Sequence, residues 1–142
     1  MSDTIVLGYD GSPSANAALA KTVELAKSTG ARVVVVYAFY ISPLGGGDVH
    51  DCKQALESVG GHALARARSE LEVEGIEVET RTVSGKPANA ILAAAEDVGA
   101  TLIAVGTVGE EPVSGAILGS VVLRLVHRSK IPLLVVPAAD TS

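Results

Sequence analysis

The sequence predicts an α/β fold, an open five-stranded parallel sheet with helices on both faces. Three observations carry that prediction. Five short apolar segments alternate with four stretches of helical period, the order that gives right-handed crossovers and parallel strands. The second apolar segment holds four consecutive valines, Val33 to Val36, with no polar alternation, so both of its faces must be covered. Glycine and proline punctuate the segment boundaries.

The elements follow in order. Residues 4 to 9, TIVLGY, form a short apolar strand that ends at Asp10-Gly11-Ser12-Pro13, where Pro13 is placed to open a helix. Between 14 and 29, Ala15, Leu19, Ala20, Val23 and Ala26 lie on one helical stripe, and Gly30 closes the helix. ARVVVVYAF, 31 to 39, is a buried central strand. Residues 41 to 52 carry a triple glycine and are expected to be a loop. A long helix is expected from 53 to 74, with Ala55, Leu56, Val59, Ala63, Leu64, Ala67 and Leu71 as its inner face. Gly60-Gly61 is a weak point in it, costing roughly 1 kcal/mol per glycine relative to alanine. IEVETRTV, 76 to 83, alternates apolar and polar residues and reads as a strand near a sheet edge. Ala88, Ile91, Leu92, Ala95 and Val98 then mark a helix from Pro87 to Gly99. TLIAVG at 101 to 106 is a buried strand, 116 to 129 a helix, and IPLLVVP at 131 to 137 a last strand bracketed by prolines.

Composition limits the function. The 142 residues suit one domain, with no linker or internal repeat. Apolar residues make up 48% of the chain, yet it holds only three Tyr, one Phe and no Trp, so small aliphatic side chains must fill the core. A net charge of −5 argues against a nucleic-acid or membrane-surface role, because neutralising phosphates needs a basic stripe. No apolar run reaches the roughly 18 residues that span a bilayer. The single cysteine, Cys52, cannot form an internal disulfide, and residues 1 to 30 lack the pattern of a secretory leader, so a cytoplasmic location is expected.

In a sheet of this kind ligands bind beyond the carboxyl ends of the strands, where the strand order reverses. Three turns should meet there: 8 to 13, 38 to 52 and 106 to 120. The last, GTVGEEPVSGAILGS, spaces Gly106, Gly109, Gly119 and Ser120 as a phosphate cradle would, since glycine lets backbone N–H groups approach an oxyanion and the first amides of a following helix are unpaired. Alternatively, Gly106 and Gly109 only shape a turn, and Gly119 only lets the helix touch the sheet.

The pattern G-x2-G-x9-G-S after an apolar strand, VLGYDGS at the first strand, and SGKPANAILAAAEDVGATLIAVGTVG between them resemble the universal stress protein family, over Thr4 to Pro137. The resemblance implies a single Rossmann-like domain over 1–142, with strand order 3-2-1-4-5. It implies ATP or a related adenine nucleotide, AMP or cyclic AMP, held without fast turnover and often with a divalent cation such as Mg2+. It also implies a homodimer joined through the last strand, Leu133 to Val136. By position, Asp10 falls in the ribose and phosphate region, the backbone of Ala38 faces the adenine, Gly106, Gly109, Gly119 and Ser120 match phosphate-contacting positions, Val121 continues the same helix start, and Gly8 completes the nucleotide-binding set. Asp10 has a second reading, as the N-cap of the helix that Pro13 opens.

One departure concerns charge. Glu110 and Glu111 follow the second glycine, with no Lys or Arg before Arg124. A carboxylate about 7 Å from a phosphate charge costs roughly 0.6 kcal/mol in water and about 2 kcal/mol at an effective dielectric of 20. A triphosphate would suffer most, AMP or cyclic AMP least, unless the glutamates point into solvent or hold a bridging cation.

Other motifs are weaker. SGKP at 84 to 87 lacks the Ser or Thr and the upstream glycine of a P-loop and reads as a strand-to-helix turn. Asp48, His50, Asp51 and Cys52 lie close enough in sequence to ligate a metal, but a solvated loop and a helix start explain the same letters. Asp10 is the one evident polar side chain at the expected site, so any ATP hydrolysis should be slow. Two further readings remain: a slow Mg2+-dependent ATPase, or a protein-interaction subunit that uses the 41 to 52 loop.

Overall fold

In the computed structural model, which describes residues 3–39, 49–108 and 119–138, the chain alternates strictly between strand and helix. The elements are β1 (Thr4–Gly8), α1 (Pro13–Thr29), β2 (Arg32–Phe39), α2 (Val49–Val73), β3 (Val78–Ser84), α3 (Pro87–Val98), β4 (Leu102–Gly106), α4 (Ser120–Arg128) and β5 (Leu133–Val136). All four strand pairings are parallel, and the order is β3-β2-β1-β4-β5. The predicted fold class and the order implied by the resemblance are both present.

Two apolar layers flank the sheet, and strand periodicity decides which residues enter which. Ile5, Leu7, Val33, Val35 and Tyr37 face α1 and α2, while Val6, Val34, Val36, Ile103 and Val105 face α3 and α4. The valine run of β2 thus supplies both layers, which is why it shows no polar alternation. β3, at one edge, carries Glu79 and Arg81 among half-buried positions.

Helix ends follow their sequence signals. Pro13 and Pro87 open α1 and α3, and Gly30 and Gly99 close them in the left-handed region, at φ 75° and 64°. A residue with a Cβ is strained there, and each glycine N–H returns to a carbonyl of the last helical turn.

Several boundaries and faces differ from expectation. α2 begins at Val49 rather than 53, since no helix breaker stands between the glycine run at 45 to 47 and Gly60. The part of the expected loop from 41 to 48 lies outside the described residues. α4 begins at Ser120 rather than 116, with Gly119 as its N-cap in an extended conformation, and 116 to 118 lie outside the described residues. Ala20 is exposed, whereas Ala18 and Thr22 are fully buried. The stripe runs through 15, 18, 19, 22 and 26, and the Thr22 hydroxyl is tolerated inside because it donates to the Ala18 carbonyl at 2.8 Å. Gly60 is a close-packing site rather than a weak point, because a Cβ there would run into the ring of Tyr37. On the inner face of α2, Leu64, Ala67 and Leu71 are buried as expected.

Candidate functional site

β1 pairs with β2 on one side and β4 on the other, so the strand order reverses at β1 and a crevice opens above its carboxyl end. A cavity of about 280 Å³ occupies that crevice. This is just below the roughly 300–1,000 Å³ range of small-molecule sites. Gly8, Asp10, Ala38, Gly106, Gly119, Ser120 and Val121 all line it. Gly109, Glu110 and Glu111 lie outside the described residues.

The first wall is the β1–α1 turn. Asp10 Oδ1 accepts from the backbone N–H of Ser12 at 2.9 Å, and Gly11 turns the chain at φ 81°. The N-cap of α1 is Ser12, whose side chain accepts from Ala15 N–H at 3.3 Å, so the alternative reading of Asp10 as the cap is corrected. A serine directly before Pro13 reaches the first-turn amides, whereas Asp10 stands two residues too early. Behind this turn the Tyr9 hydroxyl lies between α1 and α2. Burial pushes its pKa up; Arg66 acts in the opposite sense, and Glu70 and Asp10 add to the rise.

The second wall is the start of α4. Gly119, its N-cap, has no side-chain cap, and Ser120 to Val122 line the cavity from the first turn of the helix. The amides of a first turn lack intrahelical partners, and the helix dipole makes that end electropositive. Gly119 itself has φ −73° and ψ 164°, angles open to any residue. Its N–H donates to the Thr107 carbonyl at 2.7 Å, and the Thr107 N–H donates to the Val136 carbonyl at 3.0 Å. Both ends of the loop are therefore tied together at Thr107.

Two lining glycines have packing reasons of their own. A Cβ on Gly8 would lie 2.6 Å from Ile91 Cδ1, and one on Gly106 would collide with the Ser14 side chain and the backbone of α1. β4 and α1 approach this closely only because residue 106 is glycine.

Sequence reasoning missed the third wall. Pro87 and Ile91 of α3 line the cavity beside Val36 and Val105. Because β3 is an edge strand, the turn after it was not expected at the site, but α3 crosses back over β2 and β1 to reach β4. The 84 to 87 turn thus leads into the cavity wall without being a P-loop.

Among the described lining residues Asp10 is the only charged side chain, and no Lys or Arg is present. Also among the described residues, no group of three or more His, Cys, Asp or Glu could hold a metal ion, and no helix is long and apolar enough to cross a membrane. The proposed metal cluster at 48 to 52 depends on side chains outside those described.

Comparison with known proteins bears on this site. A model of the universal stress protein family matches residues 1–137. A universal stress protein of Methanocaldococcus jannaschii is 32% identical over 136 residues, covering 93% of this chain and 80% of the relative. Among solved structures, a universal stress protein family member from Burkholderia pseudomallei superposes with a TM-score of 0.80 at 29% identity, covering 96% of each chain. Another universal stress protein, solved in complex with cAMP, superposes with a TM-score of 0.76 at 27% identity, covering 96% of this chain and 98% of its own.

Proposed function

The chain belongs to the universal stress protein family, and we propose that it is a regulatory binding module that takes up an adenine nucleotide in the cavity above β1. The observation that carries this reading is the convergence of the uncapped α4 N-terminus, the Asp10 turn and the β2 end on one cavity. In this reading the first-turn amides of α4 at Ser120 and Val121, with Gly106, Gly109 and Gly119, receive the phosphates. Asp10 accepts from the ribose hydroxyls, Gly8 and Ile91 form the floor, and the backbone of Ala38 meets the adenine.

ATP and cyclic AMP differ in what they ask of this site. ATP brings several negative charges to a cavity whose described lining offers Asp10 and no cation, so it would bind as the Mg2+ complex. The carboxylate of Asp10 is a suitable hard donor; phosphate oxygens and water would complete the shell. Cyclic AMP, with a single charge, needs no cation. The related structure in complex with cAMP supports this second reading.

We further propose that the whole chain acts as one domain, in a reducing cytoplasm that suits its lone cysteine, and as a homodimer through β5. The two sheet edges differ in a way that supports the dimer. β3 carries charged side chains, a common protection against pairing, whereas Leu133–Val136 carries none and its first three residues are half-buried.

The test is mass spectrometry of small molecules released from the freshly purified protein, followed by titration of ATP, AMP and cyclic AMP with and without Mg2+. A bound nucleotide at 100 times its Kd should stabilise the fold by about 2.7 kcal/mol. Unchanged binding in Gly119→Val and Ser120→Ala would refute this use of the loop. The absence of any nucleotide effect would favour a protein-interaction role.

A further inference from the structure

Ser14 is the second residue of α1 and is only 1% exposed. Its hydroxyl donates to the Val108 carbonyl at 2.5 Å and accepts from the Val108 N–H at 3.3 Å, across a sequence separation of 94 residues. One hydroxyl, with one proton and two lone pairs, thereby satisfies both backbone groups of a residue that has left the β4 ladder. Thr22, the other fully buried hydroxyl of α1, bonds instead to a carbonyl of its own helix. Ser14, in the first turn, has no carbonyl four residues earlier within α1 to accept its proton.

The residues on either side of Thr107 are both held by Ser14. Gly106 packs on it so closely that no Cβ fits, and a Cβ there would also come within 2.5 Å of the Ser14 carbonyl carbon and 2.7 Å of Ala15 N. Val108 is clamped by the hydroxyl. Thr107, between them, accepts from Gly119 N–H and so fixes where α4 begins. The first-turn amides of α4 therefore take their position relative to the Asp10 turn through a chain of contacts that starts at Ser14.

We propose that Ser14 is a positioning residue for the phosphate end of the site: it sets the spacing between the Asp10 turn and the N-terminus of α4 without itself lining the cavity. This rests on the nucleotide-binding reading above. Among the described residues, both hydrogen bonds of the hydroxyl go to Val108 and none to its own helix, so the hydroxyl is explained by the loop it holds.

The test compares adenosine with AMP in the wild-type protein and in Ser14→Ala, using NMR shift titrations that reach millimolar Kd. Leaving the buried groups of Val108 unpaired should displace the loop and weaken AMP about tenfold. Adenosine, which lacks the phosphate, should change by less than about twofold on the same reasoning. Equal weakening of both ligands would show a general structural role and overturn the proposal, as would unchanged AMP binding. Should Ser14→Ala fail to fold, Ser14→Cys keeps the volume with a much weaker donor and must show the same split between AMP and adenosine. Wild-type protein that binds neither ligand would overturn the nucleotide reading itself, and this proposal with it.

Discussion

The Tyr9 hydroxyl donates to Asn16 Oδ1 at 2.5 Å, joining the end of β1 to the first turns of α1. Asn16 Nδ2 in turn donates to the Gly11 carbonyl at 3.4 Å, so the pair braces the turn that presents Asp10. Tyr9 is buried, and that burial raises its pKa above the ordinary 10.0. The folded state therefore holds the phenol proton more tightly than the unfolded chain does. Stability from this source is fully present below pH 10 and is lost as pH rises through the folded-state value. Tyr9→Phe should cost about 0.5–1.5 kcal/mol at pH 7, for one hydrogen bond. The gap between variant and wild type should narrow above pH 10. Urea unfolding at pH 7 to 11 measures it, and a gap that widened with pH would contradict the assignment.

Adjacent glycines in α2 should respond in opposite directions to the same substitution. Gly61→Ala places a Cβ where nothing lies within 4 Å, and should stabilise by up to about 1 kcal/mol through helix propensity. Gly60→Ala gains the same propensity but drives a methyl into the ring of Tyr37, a buried residue of β2. Overpacking costs about 1–3 kcal/mol, so the net change should be destabilising. Thermal unfolding of the two variants decides it.

Those two glycines also illustrate what the sequence could and could not convey. Element types were legible because the unbroken Val33–Val36 run, the Pro13 and Pro87 starts and the Gly30 and Gly99 stops are local signals, whereas the strand order followed only from the resemblance to the family. Gly60 looked like a defect because its reason, the Tyr37 ring, comes from β2, a separate element. Seven of the eight expected site residues line one cavity, since the turns that carry them follow from the topology. Pro87 and Ile91 were hidden by the path of α3 across the sheet, and Ser14 because its partner is 94 residues away. Local pattern reports a residue's own backbone; close approach between distant segments leaves no periodic trace.

Asp10→Asn separates charge from geometry at the site. The amide oxygen can still accept from Ser12 N–H, so the turn should persist. If a phosphate charge lies about 7 Å from Asp10, removing the carboxylate charge should relieve about 0.6 kcal/mol per phosphate charge at the dielectric of water, near threefold in affinity. The dependence of ATP binding on Mg2+ should therefore shrink relative to the wild-type protein, while the weakened ribose contact lowers affinity with and without Mg2+ alike. Calorimetric titration of ATP at two Mg2+ concentrations reads this directly. An unchanged Mg2+ dependence would place the phosphates far from Asp10.

The β5 edge yields the most direct test of assembly. The Ile103 N–H donates to the Pro132 carbonyl and the Thr107 N–H to that of Val136, which fixes the phase of the parallel ladder. Even-numbered residues of β5 bond toward β4, so the N–H groups of Leu133 and Val135 point away from the sheet. A second copy adding to this edge would use them. Val135→Pro removes one outward N–H without taking a bond from the β4 ladder, and the extended conformation of Leu134 suits a residue before proline. If the homodimer forms through β5, light scattering should show dimeric wild-type protein and a folded monomer for Val135→Pro. The equivalent change on β3, Thr82→Pro, should leave the assembly state unaltered, because that charged edge is not the one used. A Val135→Pro protein that remained dimeric would move the interface elsewhere, with the exposed Leu123 and Val126 of α4 the next residues to substitute.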